Sequence, residues 1–273
     1  MQKPISIVMY TRGTGSGHLA RINAVYRGFR RAKLLVDFYA CAYRSKYRSL
    51  LEPGIRRLAK GVLPDAIDVF ICDWSADDFV SSLPEKRARL WVGLKRLGTI
   101  PNQFPGHFHI IAMEPDVHAD ATIWPILSTW PDEVLTRPAV RTLLNINDDK
   151  PVILLVENGA YAKHLELVFG HAASLEEHIF RCSNSPFADK LADLTYYPIA
   201  RLFPGVEKLV LGGGYNSVHE AMSYADLGST TFINVGGDDQ AKRLRLSQTW
   251  EKGRGSRAHE LALHVAELLR GRK

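Results

Sequence analysis

Leu209-Val210-Leu211-Gly212-Gly213-Gly214-Tyr215-Asn216-Ser217-Val218-His219-Glu220-Ala221-Met222 is followed, a few residues on, by Thr231-Phe232-Ile233-Asn234-Val235-Gly236-Gly237-Asp238-Asp239-Gln240. The first run reads as a buried strand, a glycine turn and a helix. The second reads as another strand and a polar loop. Three glycines in a row let the chain turn sharply and let a ligand approach the main chain. Asn216 and Ser217 are good helix N-caps, and the N–H groups and positive dipole end of such a start suit a phosphate. Asn216 and Glu220 are four apart and share a helical face. A carboxylate one turn in from a phosphate can accept hydrogen bonds from ribose hydroxyls. An equally good local reading is the capping box Ser217-x-x-Glu220, in which the glutamate only satisfies its own helix start.

Gly-Tyr-Asn-Ser-x-x-Glu, an apolar strand and then Gly-Gly-Asp-Asp-Gln resembles the nucleotide-sugar site of GT-B glycosyltransferases. The branch it is most similar to contains the peptidoglycan N-acetylglucosaminyltransferase, with its family-28-like C-terminal domain. The resemblance implies roles for each residue. Gly213, Gly214, Tyr215, Asn216 and Ser217 hold the donor diphosphate, Glu220 binds the ribose, and Asp238, Asp239 and Gln240 touch the donor sugar. Leu227-Gly228-Ser229 departs from the family pattern of a small residue followed by Pro.

Near the N-terminus, Ile5 to Tyr10 reads as a buried strand. Thr11-Arg12-Gly13-Thr14-Gly15-Ser16-Gly17-His18 follows, then a helix from Leu19 to Arg31 with Leu19, Ile22 and Tyr26 on one face. A strand, a glycine loop and a helix open a nucleotide-binding α/β unit. A phosphate-binding P-loop requires Lys after its last Gly, and His18 follows Gly17. The dinucleotide fingerprint requires Gly where His18 stands; Asp37, in the next strand, keeps a weak form of that reading open. His18 therefore sits at the carboxyl end of the first strand, the ligand-binding edge of open α/β sheets. An imidazole there is suited to proton transfer near neutral pH, although it could equally pack or cap the turn. Gly-Ser-Gly-His-Leu-x-Arg is similar to the N-terminal loop of the same GT-B branch. It also resembles the Gly-x-Gly-His-x-x-Arg loop of nucleotide-sugar hydrolases of the pseudaminic acid pathway. These resemblances imply a catalytic His18, with Gly15, Ser16, Gly17 and Arg21 as its phosphate-facing loop.

Between and beyond these motifs, apolar runs alternate with helical ones. The runs are Leu34–Ala40, Ile67–Cys72, Ala88–Leu94, Phe108–Met113, Thr122–Leu127, Val152–Val156 and Ile179–Cys182. Ser45 to Lys60 reads as a basic helical stretch broken by Pro53-Gly54, and Ser256 to Arg270 as a tail helix. The rhythm predicts parallel sheets covered on both faces. The expected fold is α/β, with two Rossmann-like domains facing a central cleft, as in GT-B proteins. The polar run Asn147 to Pro151 places the boundary, giving residues 1–147 as the acceptor side and 148–273 as the donor side. Asp73 ends a strand and either faces the ligand edge or caps the next helix. His107 and His109 stand at i and i+2 of a strand; no further ligand accompanies them, so no metal site is expected.

The chain has 273 residues, 46% hydrophobic and 23% charged, ordinary values for a globular protein. No apolar run reaches the length of a membrane span, and no signal peptide is visible before the first strand. Cys41, Cys72 and Cys182 are odd in number and widely spaced, which suggests reduced thiols and a cytoplasmic setting. Residues 1–150 carry 21 Lys+Arg against 15 Asp+Glu, a net of +6, so the whole basic excess lies in the first half. Solvated helix faces account for that. So does a surface for an anionic membrane, an anionic or lipid-linked acceptor, or nucleic acid. The expected activity is metal-independent, inverting transfer from a UDP-sugar to an acceptor the sequence does not name, with no cofactor. A nucleotide-sugar hydrolase and a non-enzymatic nucleotide-sugar-binding module are the alternatives.

Overall fold

The structure, a computed structural model, describes residues 3–12, 16–41, 48–59, 61–73, 76–98, 104–157, 176–183, 192–234, 236 and 240–271. Two compact units divide the chain. The first comprises Met1–Ser128 with Ser256–Lys273, and the second Thr129–Gly255. The polar run at 147–151 thus lies inside the second unit, and the last helix belongs to the first.

In the first unit, β1 (Ile5–Thr11) leads into α1 (Ser16–Arg31), then β2 (Val36–Cys41) and the short β3 (Arg56–Arg57). β4 (Val69–Asp73), α2 (Asp78–Ser81), β5 (Leu90–Lys95), β6 (His109–Ala112) and β7 (Ala121–Thr122) follow. All pairings are parallel, in the order β3-β2-β1-β4-β5-β6-β7. The chain builds outward from β1 to one side, then returns to build on the other, so the order reverses between β1 and β4. Val69 to Asp73 are all buried, as expected of a central strand covered on both faces. Val8, Tyr10, Phe70, Cys72 and Trp91 form one core cluster on that sheet.

Two expectations change here. The described part of the basic stretch is a 3-10 turn at Arg48–Leu50 and the two-residue edge strand β3, not a helix. Pro53 and Gly54 break helical continuity, and Gly54 lies against Tyr26, where a Cβ would come within 1.9 Å of the phenol oxygen. The expected strand from Thr122 to Leu127 pairs only at Ala121–Thr122; Pro125 follows and has no N–H to donate.

The second unit holds α3 (Arg137–Leu143), β8 (Val152–Glu157), β9 (His178–Ser183) and β10 (Lys208–Gly212). After them come α4 (Tyr215–Tyr224), β11 (Thr230–Ile233) and α5 (Gln240–Ser247). Its parallel sheet runs β11-β10-β8-β9, with the order reversing between β8 and β10. Val140, Leu154, Phe203, Leu211 and Ala221 share its core. The final helix, α6 (Ala258–Gly271), packs on α1 in the first unit. It buries Ala258, Leu261, Ala262, Val265, Ala266 and Leu269. Contact is close at Gly28, where a Cβ would lie 2.2 Å from the Ala258 carbonyl oxygen.

Candidate functional site

Each unit has its own ligand edge, because in open parallel sheets ligands gather outside the carboxyl ends of the strands where the strand order reverses. In the first unit that point is the β1–β4 pair, and Thr11 and Asp73 stand there as register partners. His18 lies in the first turn of α1, directly after the loop that leaves β1. Its Nδ1 is 2.6 Å from Asp73 Oδ2. Arg21, one turn on, reaches the same carboxylate with Nε to Oδ1 at 2.9 Å and Nη2 to Oδ2 at 3.2 Å. Thr11 Oγ1 stands 3.4 Å from Oδ2. Arg21 and Asp73 are buried, and the His18 side chain is 12% exposed.

The hydrogen bonds assign the tautomer. A carboxylate held by arginine accepts, so Nδ1 of His18 carries the proton and donates to Asp73. The lone pair is then on Nε2, the arrangement of an oriented base. Arg21 Nη2 also lies 3.1 Å from Nδ1, a contact that geometry allows but that the shorter Asp73 bond overrides.

Burial would push the Asp73 carboxyl up. The charge of Arg21, with the hydrogen bonds from His18 and Arg21, outweighs it and holds the group well below the usual carboxylate range. His18 moves down from its ordinary value, chiefly through burial, with Arg21 and Arg96 adding to the effect and Asp73 opposing it. The net direction favours the neutral imidazole, the form able to accept a proton.

In the second unit the corresponding edge is the end of β10. Gly214 is the N-cap of α4, with φ −66° and ψ 161°. The helix thus begins at Tyr215, which makes Ser217 its third residue and Glu220 its sixth. Asn216 and Ser217 are inside the helix rather than caps, and the Ser217–Glu220 capping box is not formed. Ser217 and Glu220 are buried, Asn216 half-buried. Gly213 and Gly214 differ in surroundings. A Cβ at Gly213 would meet Leu244 Cδ1 at 3.0 Å and Gln240 Cβ at 3.3 Å, so a side chain there would press on both. A Cβ at Gly214 would meet nothing within 4 Å, and its φ is one any residue adopts. Neither the backbone nor the described neighbours explain that glycine; a ligand approaching the main chain would.

Gln240 begins α5 and donates from Nε2 to the Gly236 carbonyl at 3.1 Å. Arg243, fully buried, extends Nη1 toward the Gly213 carbonyl at 3.5 Å. His219 is occupied in packing, stacked on Trp250 with centroids 5.1 Å apart and against Tyr215 at 4.5 Å.

The structure therefore brings together Ser16, Gly17, His18 and Arg21 at one edge, and Gly213 to Ser217, Glu220 and Gln240 at the other. Gly15, Asp238 and Asp239 lie outside the described residues. Asp73, which the motif reading left undecided between two roles, stands at the first edge against His18 and Arg21; the cap of α2 is Asp77 instead, accepting from the Val80 N–H. Asp37 pairs with Arg56 at the amino end of β2, 3.2 Å away, so it does not stand where a dinucleotide ribose would need it. Several basic residues of the first half serve the fold. Arg87 donates to the carbonyls of Pro64 and Asp65, and Arg27 to that of Ser128. Among the described residues no helix is long and apolar enough to cross a membrane.

No protein-family model matches the sequence, and no curated protein matches it at significant similarity. Solved structures do resemble it. MurG of Acinetobacter baumannii is 14% identical with a TM-score of 0.54, over 98% of this chain and 100% of that one. The glycosyltransferase SnogD from Streptomyces nogalater is 13% identical with a TM-score of 0.56, over 97% and 100%. Spinosyn forosaminyltransferase SpnP is 12% identical with a TM-score of 0.54, over 96% and 99%. Identities this low speak to architecture alone. With two parallel α/β sheets and these neighbours, the chain has the GT-B fold.

Proposed function

We propose that this chain is a glycosyltransferase that moves a sugar from a nucleotide diphosphate donor, a UDP-sugar, to an acceptor hydroxyl, with inversion at the anomeric carbon. The observation that carries the reading is the contact of half-buried His18 with buried Asp73 at the switch point of the first sheet. The acceptor oxygen attacks the anomeric carbon, and the bond from that carbon to the diphosphate oxygen breaks. The electron pair leaves with the diphosphate, and the hydroxyl proton passes to Nε2 of His18. Asp73 stabilises the imidazolium so formed, and Arg21 holds Asp73.

The donor falls to the second unit. Main-chain N–H groups of the first turn of α4 take the charge that develops on the leaving diphosphate. Glu220 accepts from the ribose hydroxyls, and Asp238, Asp239 and Gln240 meet the sugar. Open space beside Gly214 supports this assignment.

The test is a mass-spectrometric time course with UDP-sugars, in the presence and absence of an acceptor panel of alcohols, lipid-linked alcohols and anionic glycans. Donor loss that requires an acceptor and disappears in His18→Ala, with UDP affinity retained, supports transfer. Rapid donor breakdown in buffer alone identifies a hydrolase. Full biological activity of His18→Ala, with loss in Glu220→Ala, identifies a binding module.

A further inference from the structure

We propose that His109 and His264 form a binding site for one divalent transition-metal ion of the zinc, nickel and copper class, remote in sequence from the motifs assigned to sugar transfer. His109 lies on β6 and His264 on α6, 155 positions apart, and their Nε2 atoms face each other at 3.1 Å. The rings are 5.3 Å apart between centroids. Metal–imidazole bonds of about 2.0–2.1 Å put two neighbouring ligand nitrogens roughly 2.9 Å apart at a right angle and roughly 3.3 Å apart at the tetrahedral angle. The observed separation lies between those values. On the far side of His109, Asp120 Oδ2 is 3.7 Å from Nδ1. That carboxylate is itself fixed by the Ile110 N–H at 2.7 Å. At that distance the carboxylate is not hydrogen-bonded to the ring, but its negative charge favours a cation held by His109.

Among the described residues no group of three or more His, Cys, Asp and Glu stands close enough to hold a metal. The ion therefore keeps water in its remaining positions and exchanges with solvent. The His109 side chain is 19% exposed and His264 is half-buried, so solvent reaches the pair. Two imidazoles suit zinc, nickel and copper, whereas magnesium and calcium take oxygen ligands. Bound there, the ion joins the sheet of the first unit to α6, and binding only the folded chain it raises stability by mass action. The competing account is a single N–H···N hydrogen bond between the rings.

Calorimetry on tagless, chelator-stripped protein, titrated with Cu²⁺, Ni²⁺, Zn²⁺ and Mg²⁺, decides between them. The proposal expects one site per chain, Cu²⁺ tighter than Ni²⁺ or Zn²⁺, no Mg²⁺ binding, and a higher unfolding midpoint with Ni²⁺ or Zn²⁺. His264→Ala should weaken binding by at least about tenfold, the scale seen when a metal's supporting residues are lost, and should remove the midpoint shift. His264→Asn keeps a polar side chain and serves as the second variant where circular dichroism finds the alanine protein unfolded. No saturable site in the wild type, or equal binding in a folded His264 variant, overturns the proposal. Both outcomes are independent of UDP-sugar turnover.

Discussion

Asp73 is the residue on which the chemistry proposed for the first unit turns. Four donors converge on one buried carboxylate, two of them from the same arginine. His18 is the group it orients. His18→Ala should lower turnover by roughly 10²–10⁴-fold, the usual worth of a positioned base, and leave UDP affinity intact in calorimetry. The pH profile carries the sign of the electrostatics. The folded His18 binds its proton less tightly than the ordinary imidazole, so the neutral base survives below pH 6.5 and the acid limb of the rate profile lies below that value. Asp73→Asn removes the charge and hydrogen bond that raise His18, so the limb should move to lower pH as the rate falls. Arg21→Gln removes a lowering charge and should move the limb upward. Stopped assays across pH on the three proteins check both directions, and a limb that rises in Asp73→Asn would contradict this assignment. His18 and Arg21 were legible because a local motif, three residues long in its spacing, carries them. Asp73 was not, because its contact with His18 spans 55 positions and a strand-end aspartate reads equally well as a cap.

At the scale of elements, the bend between β10 and α4 makes two adjacent glycines behave differently. Gly213→Ala presses its methyl on Leu244 and Gln240 and should destabilise the protein by about 1–3 kcal/mol, the cost of overpacking. Gly214→Ala meets open space at an ordinary φ and should change stability by less than about 0.5 kcal/mol. Its effect should appear in UDP affinity instead. Thermal unfolding and UDP titration of both variants separate the two roles. Strand, bend and helix were readable from the apolar run, the glycines and the helical spacing. The helix start was not. Asn216 and Ser217 are better caps than glycine by propensity, yet the chain enters the helix two residues earlier, at Gly214. Over the described residues 48–59 the helix expected at 45–60 does not form, for a related reason: helix-compatible composition yields to a Pro-Gly break and to a sheet edge that Arg56 and Arg57 pair with.

At the scale of the whole molecule, the last helix belongs with the first. α6 buries six residues in the first unit, and Gly28 of α1 lies against Ala258 too closely for any side chain. Gly28→Val should therefore lower the unfolding midpoint measurably, as should removal of residues 256–273, with circular dichroism as the readout. An unchanged midpoint in either would contradict the packing described. The tail's helical face was evident from Leu261 and Val265. Its partner was not, because no local feature of 256–273 names a helix at 16–31. The same limit applies to the division of the chain: a polar run such as 147–151 marks a loop, whereas compact units are set by long-range packing.

The claim beneath all of this is that the bend at Gly213–Gly214 and the helix after it hold a nucleotide diphosphate. Calorimetric titration of UDP into wild type, Gly214→Val and Glu220→Gln, with unfolding midpoints measured on the same samples, tests it most directly. The account predicts saturable binding to the wild type and its loss in Gly214→Val. It predicts weakening by about 1–3 kcal/mol in Glu220→Gln, the range for hydrogen bonds to a charged group, with midpoints little changed. Absence of UDP binding in the wild type, or equal binding by all three proteins, would contradict it.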